Sequence, residues 1–144
     1  MATVSIYLNF KNQTEAAFNY YKSVFNTEFY GEILRFGDIP PSPDAPPMTE
    51  ELAKRIMHVE LPLPGGISLM GTDAPEEMGF NIQQGNNIFI NLMPDSRSET
   101  DRLYDALSKN GTVTMPLQEM FWGDYYGSCT DQFGIQWMFN CSKK

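Results

Sequence analysis

The chain has 144 residues, 42% of them hydrophobic and 19% charged, with a formal charge of −8. That length holds one domain, or two small modules sharing a core, and the apolar fraction excludes wholesale disorder. The acidic balance argues against nucleic acid and anionic membrane as partners, because both need a basic footprint.

No apolar run approaches the roughly 18 residues of a membrane helix. The opening residues lack the basic-then-apolar pattern of a secretory leader. Two cysteines, Cys129 and Cys141, cannot build a disulfide scaffold. They read as free thiols of a reducing, cytoplasmic compartment. A single histidine, His58, excludes a His-rich zinc site and any mechanism needing two imidazoles. There is no Gly-x-Gly-x-x-Gly and no phosphate loop. A doubly wound methyltransferase would place a Gly-rich turn after its first strand, and here that turn is Lys11 to Thr14, without glycine.

In chain order, Val4 to Phe10 alternates with the period of a half-buried strand, Ile6, Leu8 and Phe10 on one face. Asn12 with Glu15 three residues on predicts a capping box and a helix start. Phe18, Tyr21 and Phe25 give that helix its apolar stripe, ending near Asn26. Phe29 to Phe36 reads as a second strand. Asp38 to Thr49 holds five of the ten prolines and is an exposed loop. Thr49 to Leu52 adds a helical turn. Ile56 to Leu63 alternates again, Pro64 to Gly66 turns, and Ile67 to Thr72 returns as a hairpin strand. Thr72 to Asn86 is a polar connection.

Then the pattern restarts. Asn87 to Met93 is a strand, and Ser96 with Glu99 is a second capping box. Leu103, Ala106 and Leu107 form a helical stripe that stops at Asn110 and Gly111. Strands follow at Thr112 to Pro116, Tyr126 to Thr130 and Gly134 to Asn140. Three anchors align the halves: Ile6 to Phe10 with Ile88 to Leu92, Glu15 with Glu99, and Gly66 to Met70 with Gly134 to Met138. Their offsets are 82, 84 and 68, and the drop falls where the first half carries its Pro-rich insertion, 38–49. The chain therefore reads as one α+β domain of two βαβββ modules, about 1–75 and about 86–144.

The residues now resemble a known family. Ala17 to Phe25 is similar to the first helix of the PhnB-like branch of the vicinal oxygen chelate (glyoxalase, bleomycin-resistance and dioxygenase) superfamily. Met57 to Leu61 resembles its third strand. Phe121 to Gly123, Tyr126-Gly127 and Asp131 to Met138 resemble its C-terminal signature. The resemblance implies two modules paired through a pseudo-twofold, strands curving around a cavity, helices outside, and a homodimer. In metal-using relatives the ligands are His, Gln or Glu from the first and last strand of each module. Those positions fall near Ser5 or Tyr7, Met70, Asn87 and Met138. A thioether is a poor ligand for hard or borderline divalent ions, so no metal and no cofactor are expected.

Strand parity selects the cavity face. Tyr7, Asn9, Phe89 and Asn91 from the first strands, and Met70, Gln136 and Met138 from the last, are the expected ligand contacts. A slip of one residue would flip every one of them. His58 and Glu60 point the same way on one strand and are acid–base candidates, the imidazole held by the carboxylate. Glu119, beside an aromatic pair, is a third. Trp122 and Tyr126 offer flat stacking surface. Cys129 has no neighbouring histidine to activate it. The expected function is capture of a small, partly apolar molecule in a metal-free cavity. The alternatives are a metal-dependent lyase, isomerase or dioxygenase of the same superfamily, and a bleomycin-type drug-binding protein, whose cationic ligands suit the acidic charge.

Overall fold

The computed structural model describes residues 1–142. It divides into two units, Met1–Gln83 and Gln84 onward. Each is a βαβββ module with its own four-stranded mixed sheet, so the fold is α+β.

In the first module the order is β1 (Ile6–Phe10), α1 (Thr14–Phe25), β2 (Leu34–Arg35), α2 (Glu50–Lys54), β3 (Ile56–Pro62) and β4 (Ser68–Asp73). The sheet runs β1-β4-β3-β2, with β1 and β4 parallel and the other pairs antiparallel. Leu8, Phe10, Val59, Leu61 and Leu69 are buried on the face that carries Phe18 and Tyr21 of α1. Phe10, Phe18 and Tyr21 stack edge to face. A methyl group on Gly71 would lie 2.4 Å from the Phe18 ring, so the bare backbone is what lets α1 sit this close.

The helix start differs from the expected capping box. Asn12 is left-handed (φ 60°) and gives no cap. The buried carboxylate of Asp73, at the end of β4, does that work instead. It accepts from the Thr14 amide at 3.0 Å, the Thr14 hydroxyl at 2.7 Å and the Ile56 amide at 2.9 Å, tying three elements together. The second strand is also shorter than expected. The register slips between Leu34 and Arg35, and Arg35 turns aside to Glu15 and the Lys54 carbonyl. The Pro-rich insertion is irregular, and Thr49 caps α2 by accepting from the Leu52 amide.

The second module repeats the plan with β5 (Ile90–Leu92), α3 (Arg97–Ser108), β6 (Thr112–Glu119), β7 (Tyr125–Thr130) and β8 (Gln136–Cys141), in the order β5-β8-β7-β6. Here half of the expected box is present: the Ser96 hydroxyl accepts from the Glu99 amide, while the Glu99 carboxylate binds Arg102. Leu103, Tyr104 and Leu107 of α3 are buried, as are Trp137, Phe139 and Cys129 of the sheet. β5 is shorter than the expected 87–93, because the Ile88 carbonyl accepts from the Gln136 side chain rather than a ladder amide. β6 runs past Pro116 with two register shifts, as an edge strand carrying a proline must.

The registers refine the internal alignment. Ile6 pairs Leu69 and Ile90 pairs Trp137, so Ile6 corresponds to Ile90, not Ile88. The step is two residues, which preserves parity, and the faces stay as expected.

Candidate functional site

In the first module the sheet face away from α1 carries Tyr7, Met70 and Glu60 in one row across β1, β4 and β3. The Tyr7 hydroxyl reaches over β4 to within 3.1 Å of His58 Nδ1, and the two rings lie 5.7 Å apart at 36°. Burial holds the Tyr7 phenol above its usual pKa, so it keeps its proton at neutral pH. The phenol and Nδ1 share one hydrogen bond, and it fixes the orientation of both rings. The partner of His58 is thus Tyr7, not Glu60. Glu60 shares the strand face, and its backbone carbonyl accepts from the Tyr30 amide. Met70 is half-buried and receives the Ser5 hydroxyl at 3.7 Å.

Beside this row lies a cleft of about 420 Å³, within the roughly 300–1,000 Å³ typical of ligand sites. Tyr7 and Asn9 form one side, and Phe80, Asn81, Ile82 and Gln83 the other. The last four stand in the connection expected to be only polar. The trace in the sequence is Phe80 and Ile82, two apolar residues two apart in a polar run.

The second module presents the matching row Asn91, Met138 and Ser128. Ser128 hydrogen bonds Thr114 at 2.7 Å, and Tyr126 lies opposite Asn140, whose amide donates to Asp124 at 3.1 Å. The Gln136 amide is spent on the Ile88 carbonyl at 3.0 Å. Phe89 is half-buried just ahead of β5.

Two candidates lie apart from that face. Glu119 pairs Tyr125 in register, on the α3 side, and its carboxylate binds Arg97 at 3.1 Å. Arg97 also lies over the Tyr125 ring, and Tyr125 donates to Asp101. Glu119 therefore belongs to a surface network with the helix. Trp122 sits on the β6–β7 turn, half exposed, edge to face with Phe121 at 4.9 Å.

The most specific motif is structural. The buried Asp131 carboxylate accepts from the Phe133 amide at 2.8 Å, the Ile135 amide at 3.0 Å and the Trp137 indole at 2.8 Å. Gly134 takes φ 93° in that turn. Nearby, burial pushes the Cys129 thiol up to about 12, so it is no nucleophile at neutral pH.

Sequence comparison decides the family. A profile of the 3-demethylubiquinone-9 3-methyltransferase family matches residues 2–139. The chain belongs to that family. This PhnB-like chain is 30% identical over 148 residues to protein YjdN of Escherichia coli, covering 98% of the chain and 96% of the relative. It is 31% identical to the crystal structure of protein PA1353 from Pseudomonas aeruginosa, with a TM-score of 0.83 and full coverage of both chains. Fold similarity extends to a PhnB protein from Bacillus cereus, at 20% identity and TM-score 0.77 over 98% of this chain and 100% of that one. It also reaches a glyoxalase/bleomycin resistance protein/dioxygenase family enzyme from Burkholderia phytofirmans, at 17%, 0.61, 94% and 95%. The PhnB-like chain thus shares the fold of glyoxalase-like proteins.

Two groups that these names imply do not fit the residues present. Among the described residues no group of three or more His, Cys, Asp or Glu could hold a metal ion. Met70 and Met138, where the resemblance would place two of the ligands, are thioethers on matching rows. Nor is there the doubly wound sheet with a Gly-rich first turn that cradles a nucleoside cofactor: β1 leads through Lys11 to Gln13 into α1. No helix among the described residues is long and apolar enough to cross a membrane.

Proposed function

We propose that this PhnB-like chain captures a small, partly apolar molecule on the open face of its first module, without a metal. The hydrogen bond between Tyr7 and His58 beside the cleft carries the reading. It fixes an aromatic ring at the mouth of a concave site and locks its polar tip. Met70 supplies a soft, adaptable floor, Asn9 supplies an amide, and Glu60 extends the polar edge. His58 serves as a positioning residue for Tyr7. In the second module Asn91, Tyr126 and Met138 are the corresponding contacts, and the protein works as a homodimer in the cytoplasm.

The test is a melting-shift screen of small aromatic and aliphatic compounds against wild type and His58→Gln, alongside elemental analysis of protein purified without chelator. Binders should lose affinity several-fold in His58→Gln, while Tm without compound changes little. A divalent ion retained at one per chain through dialysis would overturn the metal-free reading. Binders that ignore both His58→Gln and Tyr7→Phe would overturn the site.

A further inference from the structure

The cleft beside Tyr7 carries no charge. Its walls are two aromatic rings, Tyr7 and Phe80, with aliphatic surface from Leu8 and Ile82, and its polar groups are the carboxamides of Asn9, Asn81 and Gln83. No Asp, Glu, Lys or Arg lines it, in a chain with 18 acidic residues. The acidic residues nearest in sequence, Asp73, Glu76 and Glu77, are already engaged, Asp73 with the Thr14 amide and hydroxyl and the Ile56 amide. Glu76 holds Lys11 at 2.8 Å and Glu77 holds Arg55 at 2.7 Å.

An ion drawn into the cleft gives up hydration and finds no charged side chain in the lining, Glu60 standing on the far side of Met70 from Tyr7, a cost that removes affinity. A carboxamide offers a donor and an acceptor side by side. It is matched by a molecule with the reverse pair on one edge, as in a lactam, an imide or a primary amide. The ring faces favour a flat body. Resting on the small-molecule reading above, we infer that the ligand of this site is an uncharged, flat molecule with an adjacent N–H and C=O on its edge, and not the cationic drug that the net charge suggests. The net charge acts on approach, at long range; the lining decides what stays.

The experiment uses three probes sharing one bicyclic ring: quinolin-2(1H)-one, which is neutral, a 2-aminoquinoline protonated at the working pH, and quinoline-2-carboxylate. Affinities come from amide chemical-shift perturbation in the full chain. The neutral probe should move Tyr7, Phe80 and Asn81 and bind about tenfold more tightly than either ion, a difference of about 1.4 kcal/mol. Phe80→Ala and Asn81→Ala should each weaken it several-fold with an unchanged circular dichroism spectrum. If either ion binds as tightly as the lactam, the inference on ligand class fails while capture at this site stands. If the lactam binds but perturbs residues elsewhere, or none of the three moves these amides at millimolar concentration, both readings fail.

Discussion

Replacing Asp131 by alanine should be among the most damaging single changes in the chain. Its carboxylate is 4% exposed and accepts three hydrogen bonds, from two backbone amides and one indole. Removing the acceptor leaves three donors without it, and a buried unpaired donor costs roughly 1–3 kcal/mol. Water entering the vacated space recovers part of that, so the net loss should be about 4 kcal/mol, at the upper end for one substitution. For a chain of this size that corresponds to a fall in Tm of about 12 °C. Asp131→Asn keeps one oxygen for the two amides but turns an NH2 group against the indole N–H. It should lose about half as much. Urea unfolding followed by tryptophan fluorescence and circular dichroism measures both. A loss below about 1 kcal/mol for Asp131→Ala would show that the turn before β8 is held by something else, and would reopen a chemical role for the motif.

Gly71→Ala should destabilise by roughly 1–3 kcal/mol, because its methyl group meets the Phe18 ring at 2.4 Å, and a second change, Phe18→Leu, should restore part of the loss in a denaturant titration. Cys129 should resist thiol reagents in the folded protein at pH 8, since its pKa near 12 leaves almost no thiolate, and should react within seconds once urea exposes it. Glu15 is held below the usual carboxylate range, first by its hydrogen bond from Arg35. Its folded-state pKa is depressed, so its contribution is present above the unfolded value and fades as pH falls through the folded one. The pair is largely exposed, so Glu15→Gln should cost under about 1 kcal/mol at neutral pH, and nothing once the wild-type carboxyl is protonated, as seen in paired melts at both pH values.

The duplicated fold was legible because period and parity are local properties. Leu8, Phe10, Leu69, Trp137 and Phe139 are all buried on the helix side, as alternation required. The failures have long-range causes. Asn12 carries every local mark of an N-cap, yet Asp73, 61 positions on, offers a carboxylate at hydrogen-bond distance from Thr14 and takes the role. Residues 29–36 have strand-like composition, but Arg35 finds Glu15 on α1 and the ladder breaks there. Glu119 looked like an isolated acid in an aromatic segment. Strand register sends it to the helix side, where Arg97 waits, and no window around Glu119 contains Arg97.

The geometry of the candidate site was half legible for the same reason. Parity gave the row of Tyr7, Met70 and Glu60, but not the contact over β4 that joins Tyr7 to His58. The repeat shows what that contact means. Tyr7, Met70 and Glu60 correspond through their registers to Asn91, Met138 and Ser128, and His58 corresponds to Tyr126. Only methionine is common to both rows. The polar positions differ between the modules: amide for phenol, hydroxyl for carboxylate, phenol for imidazole. In the second row Ser128 is bonded to Thr114, and beyond the row the Gln136 amide is bonded to the Ile88 carbonyl. The first joins its phenol and imidazole beside an open cleft. A ligand search should therefore begin at Tyr7, where the cleft stands beside the joined phenol and imidazole.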